Sequence, residues 1–214
     1  MTGARLDHLV VAAADLAAGV AWAEARLGVA VPAGGAHPRM GTRNHLLSLG
    51  APRYLEVIAV DPAAPPPGRP RWFGLDEPAV VARIAARPHL VHWVVAVDDL
   101  EAAVARLPYD PGTIHEMTRG DLVWRITIPD DGRLIAGGLA PTLIEWPAGV
   151  HPTARMPPSP CRLAGLVLRY PEPARIAAAL APLGPDLGVP VAVAEGPAGL
   201  AATIETPGGT VVMD

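Results

Sequence analysis

The sequence predicts an α+β protein built from one βαβββ unit used three times, with the third copy degenerate. Three observations carry this. The stretches "LDHLVVAAADL" (6–16) and "LVHWVVAVDDL" (90–100) agree at seven of eleven positions, including His8 and His92. Each is followed by an alanine-rich helical pattern and then by short alternating runs of strand type. The 214-residue chain is 50% hydrophobic and only 18% charged, which marks a globular protein long enough to bury a sizeable core.

The first unit spans 1–62. After its opening strand, "AAGVAWAEARLG" reads as a helix that Asp15 can cap and Gly28 can end. "NHLLSLG" and "YLEVIAVD" follow as strands, separated by the turn signal "GAPR". Residues 63–88 form a linker. Its proline-rich "DPAAPPPGRPRW" cannot be helix or central strand, and a short helix over roughly 76–86 bridges to the next unit. The second unit spans 89–155. Asp98 or Asp99 caps the helix "EAAVARL", "TIHEMTRGDLVWRITIPDDG" reads as a hairpin, and "PTLIEWP" as a last strand. After "MPPSP" a third unit spans 161–214. It opens with "LAGLVLRYPEPARIAAAL", where Gly165 takes the histidine's place, and its remaining strands are "VAVAEG", "LAATIETP" and "GTVVMD". This copy reads as padding or as an extra wall.

Composition excludes several functions. All 17 basic residues are arginine, the net charge is −4, and no basic run occurs, so nucleic acid is not an expected partner. Without lysine there is no Schiff-base chemistry. The single cysteine, Cys161, forms no internal disulfide, and its surroundings suggest an inert thiol. Polar residues interrupt the first apolar segment, and no apolar stretch reaches membrane-spanning length, so a soluble cytoplasmic protein is expected.

Strand alternation then collects candidate site residues. His8, Val10 and Ala12 share one face; Glu56 stands opposite Leu55 and Val57. In the second unit His92 stands opposite Trp93, and Glu145 opposite Ile144 and Trp146. Each polar residue is flanked by large apolar ones that must pack elsewhere, which leaves His8, Glu56, His92 and Glu145 for a common face. A carboxylate within an apolar strand is costly to bury without compensation, and a divalent metal compensates two at once while accepting neutral imidazoles. A lone strand histidine or glutamate would ordinarily be a packed or solvated residue. Their pairing in both units is what favours a metal centre.

This pattern resembles the vicinal oxygen chelate superfamily, and its His/Glu/His/Glu set resembles the glyoxalase I branch. "HPRMGTRNHLLSLG" and "YLEVIAVDP" look most like the glyoxalase-like domain family within it. The resemblance implies curved mixed sheets around a cleft, with His8, Glu56, His92 and Glu145 holding one divalent ion (Zn, Ni, Co, Mn or Fe). It further implies a lyase or isomerase acting on a small vicinal-oxygen metabolite, with Glu145, or alternatively Glu56, as the base. The third unit is not part of a minimal glyoxalase, and no glutathione-binding set is recognisable. The rival reading is a metal-free binding protein of the bleomycin-resistance type. Arg43 and His45 share a strand face, where Arg43 could bind a substrate carboxylate; Trp124 could wall the cleft. His37 and His151 each precede a proline and read as turn residues near its mouth. Nothing in the sequence excludes a homodimer.

Overall fold

The computed structural model describes residues 3–214. Twelve strands fall into two sheets. The first runs β1 (Arg5–Ala12), α1 (Leu16–Leu27), β2 (Ala33–His37), β3 (Thr42–Ser48) and β4 (Tyr54–Val60). It continues through α2 (Pro78–Ala86) to β5 (His89–Ala96), α3 (Leu100–Val104), β6 (Thr113–Arg119), β7 (Leu122–Ile128) and β8 (Thr142–Glu145). These strands form one eight-stranded sheet in the order β2-β3-β4-β1-β5-β8-β7-β6. The two units meet where β1 and β5 pair antiparallel; each is also paired parallel to the last strand of its own unit, β1 to β4 and β5 to β8. The sheet curls until its edges approach. Arg39 Nη1 donates to the Glu116 carbonyl at 2.5 Å, and the backbone of β2 lies against the Arg119 side chain.

Local chemistry sets the helix ends as the sequence suggests. Asp15 accepts from Ala18 N at 2.8 Å, and Gly28, at φ 68°, closes α1 in the left-handed conformation. Asp99 caps α3 through Ala102 N, also at 2.8 Å. Pro78 opens α2, where its missing N–H costs nothing.

The third unit comprises β9 (Arg162–Tyr170), α4 (Pro173–Leu180), β10 (Val191–Glu195), β11 (Gly199–Thr206) and β12 (Gly209–Met213). Its sheet is separate, in the order β10-β9-β11-β12. It packs on the outer, helix-bearing face of the large sheet. Leu163, Leu166, Leu200 and Ile204 join one apolar cluster with Leu9, Val11, Trp93 and Val95, and buried Cys161 sits in the same layer. The copy is therefore padding behind the large sheet and not a cleft wall.

A second apolar cluster fills part of the concave face. It includes Val10, Ala12, Val94, Ala96 and Ile144 from the sheet, and Val80 and Ile84 from α2. The linker supplies Trp72 and Phe73, 3% and 5% exposed, to the same cluster. The segment expected to be a plain connector thus plugs the cleft. Burying two aromatic rings is worth roughly 2–3 kcal/mol each, enough to hold it there. Among the described residues, no helix is long and apolar enough to cross a membrane.

Candidate active site

Two bulges place the histidines. β1 and β5 slip register between Leu6 and His8, and again between Val10 and Val11, where the residue left over on β5 is Val91. A bulge lets two successive residues face the same way. Asp7 therefore joins His8 on the concave side, and Val91 joins His92.

Around Asp7 the sheet builds a buried polar network. Asp7 is 1% exposed. Its Oδ1 lies 2.6 Å from His8 Nδ1, and its Oδ2 accepts from Trp146 Nε1 and contacts His151 Nε2, both at 3.0 Å. Burial alone would raise its pKa, but the bonds to His151 and His8 outweigh that and hold it at about 2. The carboxylate is ionised at neutral pH, which makes His8 Nδ1 the proton-bearing nitrogen and leaves Nε2 facing the pocket. Tyr54 stacks on the imidazole, ring centres 4.5 Å apart, and its hydroxyl is pushed toward higher pKa by burial and by the nearby Asp7 and Glu56 charges.

Glu56 completes the group. Its Oε2 stands 3.7 Å from His8 Nε2, and its Oε1 accepts from Asn44 Nδ2 at 2.5 Å. Asn44 is itself oriented, since its Oδ1 accepts from Gly35 N at 2.9 Å and from Arg119 Nη1 at 3.3 Å. A hydrogen-bonded chain thus runs Arg119–Asn44–Glu56, and Glu56 faces His8 and Asp7 behind it. Beside it, burial and then the Arg119 charge lower the His37 pKa to about 3, so this ring is neutral. The pocket between these groups is walled by Trp72, Phe73, Trp124, Ile144 and Trp146. Its ≈ 20 Å³ of open space holds roughly one water-sized group.

The four expected metal ligands are not brought together. His8 and Glu56 meet as anticipated. His92 lies on the concave side, but beyond Phe73, whose ring centre is 5.6 Å from its own. Both its nitrogens are engaged, Nδ1 with the Gly138 carbonyl at 3.1 Å and Nε2 with Thr142 Oγ1 at 3.0 Å. Burial takes its pKa down to about 4. Glu145 is on the opposite, helix-bearing face. Its Oε2 accepts from Leu100 N at 2.7 Å, at the start of α3, and its Oε1 pairs with Arg125 at 3.1 Å. The register explains the difference. Glu56 pairs across β1 at Val10, and the corresponding Val94 of β5 pairs with Thr142. Thr142, not Glu145, is the counterpart of Glu56, and three residues of offset reverse the face. Among the described residues no group of three or more His, Cys, Asp or Glu is disposed to hold a metal ion.

Arg43 and His45 also fall on the wrong side for binding substrate. Arg43 is exposed and His45 Nδ1 bonds the Val31 carbonyl at 2.7 Å, whereas Asn44 between them faces the pocket. Trp124 does wall the pocket, 5.4 Å from Trp146, which joins it there in place of packing against helices. The residues that sequence reasoning passed over are Asp7, Asn44, Tyr54, Trp72, Phe73 and Arg119. Asp7 carried a signal: a carboxylate between Leu6 and His8 in an apolar strand needs a buried partner.

No curated protein matches the chain. A crystal structure of a hypothetical protein from Staphylococcus aureus superimposes with a TM-score of 0.63 at 12% identity, covering 99% of this chain and 98% of that one. Methylmalonyl-CoA epimerase from Mycobacterium tuberculosis is 24% identical over 71% of this chain and 92% of its own, with a TM-score of 0.42. A mutant of 4-hydroxymandelate synthase from Streptomyces coelicolor is 17% identical over 99% and 63%, with a TM-score of 0.49. The family model described as "Glyoxalase-like domain" matches residues 6–184. With its repeated βαβββ units curled into one mixed sheet, the chain belongs to the glyoxalase-like domain family and has the fold of the vicinal oxygen chelate superfamily.

Proposed function

We propose that this chain is an enzyme that moves a proton at a small oxygenated metabolite, an isomerase or lyase in the broad sense, through the His8–Glu56 pair. The observation that carries this reading is the buried Asp7–His8–Glu56 alignment, 2.6 Å and then 3.7 Å, opening on a narrow pocket with aromatic walls. Glu56 has Oε1 tied to Asn44 and Oε2 without a hydrogen bond, 3.7 Å from His8 Nε2, which suits a base that removes a proton next to a carbonyl. The Nε2 lone pair of His8, held by Asp7 at Nδ1, accepts that proton from Glu56 across 3.7 Å, and the imidazolium so formed donates it back to the substrate carbon or oxygen. The inner chamber admits only the reacting end of a substrate.

A divalent metal is what the superfamily implies, and one bound there would act as Lewis acid toward paired oxygens. The donor set does not fit four-residue ligation: Glu145 is across the sheet, and His92 is fully bonded behind Phe73. The aromatic walls favour a second reading, a metal-free small-molecule binder with the same pocket.

One experiment separates these. Deuterium exchange at the carbon beside the carbonyl of 2-oxo acids and 1,2-dicarbonyls is followed by NMR, in chelator and with Zn, Ni, Co, Mn or Fe added in turn. Elemental analysis runs alongside. Enzyme-dependent exchange that Glu56→Gln reduces by about 100-fold and Glu145→Gln leaves intact supports the proposal. Exchange that survives Glu56→Gln overturns it, and ligand binding without exchange gives the binder.

A further inference from the structure

We infer that Arg119 is the anchor for an organic carboxylate whose apolar chain lies in the groove outside the pocket. This rests on the His8–Glu56 pocket being where the chemistry occurs, and it names the class of substrate that pocket receives.

Arg119 ends β6 and stands where two spaces join. Inward, it lines the aromatic pocket with His8 and Glu56. Outward, it lines a groove of ≈ 440 Å³, large enough for a small organic molecule. Apart from Arg119 and the rim residue Arg155, that groove is apolar or glycine-lined, with Pro32, Leu46, Leu122 and Met156 among its walls. Arg155 is already committed to both oxygens of Asp121, at 2.6 and 2.7 Å.

Arg119 is not committed in that way. Among the described residues its guanidinium meets no carboxylate; it donates a 3.3 Å bond to the neutral Asn44 Oδ1. Elsewhere Arg71, Arg125 and Arg133 each pair with an acid. A half-buried guanidinium with unused donors, at the neck of an otherwise apolar groove, is matched by a planar carboxylate held through two parallel bonds. The backbone is shaped around it. A Cβ on Gly35 would meet Arg119 Cδ at 2.8 Å, and one on Gly34 would collide with Asn44 Oδ1. Two successive glycines at the sheet edge therefore keep both side chains in place. A monocarboxylate with an apolar tail fits the layout, its carboxylate on Arg119 at the pocket neck and its chain along the groove.

The test is titration calorimetry with 2-oxooctanoate, its amide and pyruvate, on the parent, Arg119→Gln, Arg119→Lys and Gly35→Ala. In the parent the acid is expected to bind roughly tenfold or more tighter than its amide, and pyruvate to bind more weakly than the octanoate. Arg119→Gln should erase the acid–amide ratio without moving the unfolding midpoint appreciably. Arg119→Lys should keep part of it, and Gly35→Ala should reduce it by displacing the side chain. Equal binding of acid and amide, a ratio that survives Arg119→Gln, or no binding up to about 10 mM overturns the inference. Because binding is read without turnover, a failed Glu56 exchange experiment leaves this result standing, and the reverse holds too.

Discussion

His8 and His92 occupy the same place in two copies of one strand, and each follows a bulged residue. In the first copy that residue is Asp7; in the second it is Val91. This difference, together with Glu56 against Thr142 on the neighbouring strand, divides the halves. Asp7 holds His8 by Nδ1 and leaves Nε2 to the pocket, with Glu56 opposite. His92 has no such carboxylate and closes both nitrogens on Gly138 and Thr142, with Phe73 over it. Duplication supplied two equivalent positions; one became a polar site and the other a packed wall. A shared fold position therefore does not carry a shared role; the partners at the bulge and on the neighbouring strand decide it.

The sharpest way to break this comparison is to remove its cause. Asp7→Ala should destabilise by about 3–5 kcal/mol in urea unfolding, because the buried His8 and the partly buried Trp146 and His151 lose one shared acceptor. Val91→Ala, at the matching position, should cost only about 1–3 kcal/mol, the ordinary loss of a buried aliphatic group. Equal costs would mean the two bulges are equivalent after all.

Acid should weaken the protein in two stages. His92 and His37 have folded pKa values of about 4 and about 3, below the usual 6.5. The unfolded chain takes up their protons first, so stability is complete above pH 6.5 and falls as pH drops toward 4 and then 3. The slope is roughly 1.4 kcal/mol per pH unit for each histidine. Asp7 acts lower: its folded pKa of about 2 against 3.8 gives stability that is lost between about pH 4 and pH 2. Urea unfolding of the parent and His92→Gln from pH 7 to 5 should show a shallower pH dependence in the variant. An unchanged slope would remove His92 from this account.

His92→Gln should also leave ligand binding at the first half unchanged within about twofold, whereas His8→Gln should abolish proton exchange. The smallest effect is expected at Glu145. Its carboxylate serves the start of α3 and Arg125, so Glu145→Gln should cost about 0.5–1 kcal/mol and leave exchange untouched. A large loss of exchange would return Glu145 to the site.

The repeated strand, the caps of α1 and α3 and the polar residues His8 and Glu56 could be read from the chain because each rests on local pattern. The errors share one origin. Alternation assumes an unbroken strand and a known register, and neither holds here. The bulge turned Asp7 inward beside His8. A three-residue misalignment of β8 exchanged Thr142 for Glu145, and a one-residue error of face in β3 exchanged Asn44 for Arg43 and His45. Trp72 and Phe73 lay in a proline-rich segment whose composition says only that it is neither helix nor strand.

By itself the sequence determined that one unit is written three times and that the polar residues His8, Glu56, His92 and Glu145 are set in apolar strands, where burial demands partners. Periodicity and the cost of burying polar groups are properties of a few neighbouring residues, so they survive in one dimension. Tertiary structure alone decided which partners were found: Asp7 for His8, Thr142 for His92, an aromatic plug across the cleft, and Arg119 where two sheet edges converge. Those outcomes depend on register, on closure of the sheet and on the path of the linker. Each is set by the packing of segments far apart in the chain, where a shift of one residue reverses a face.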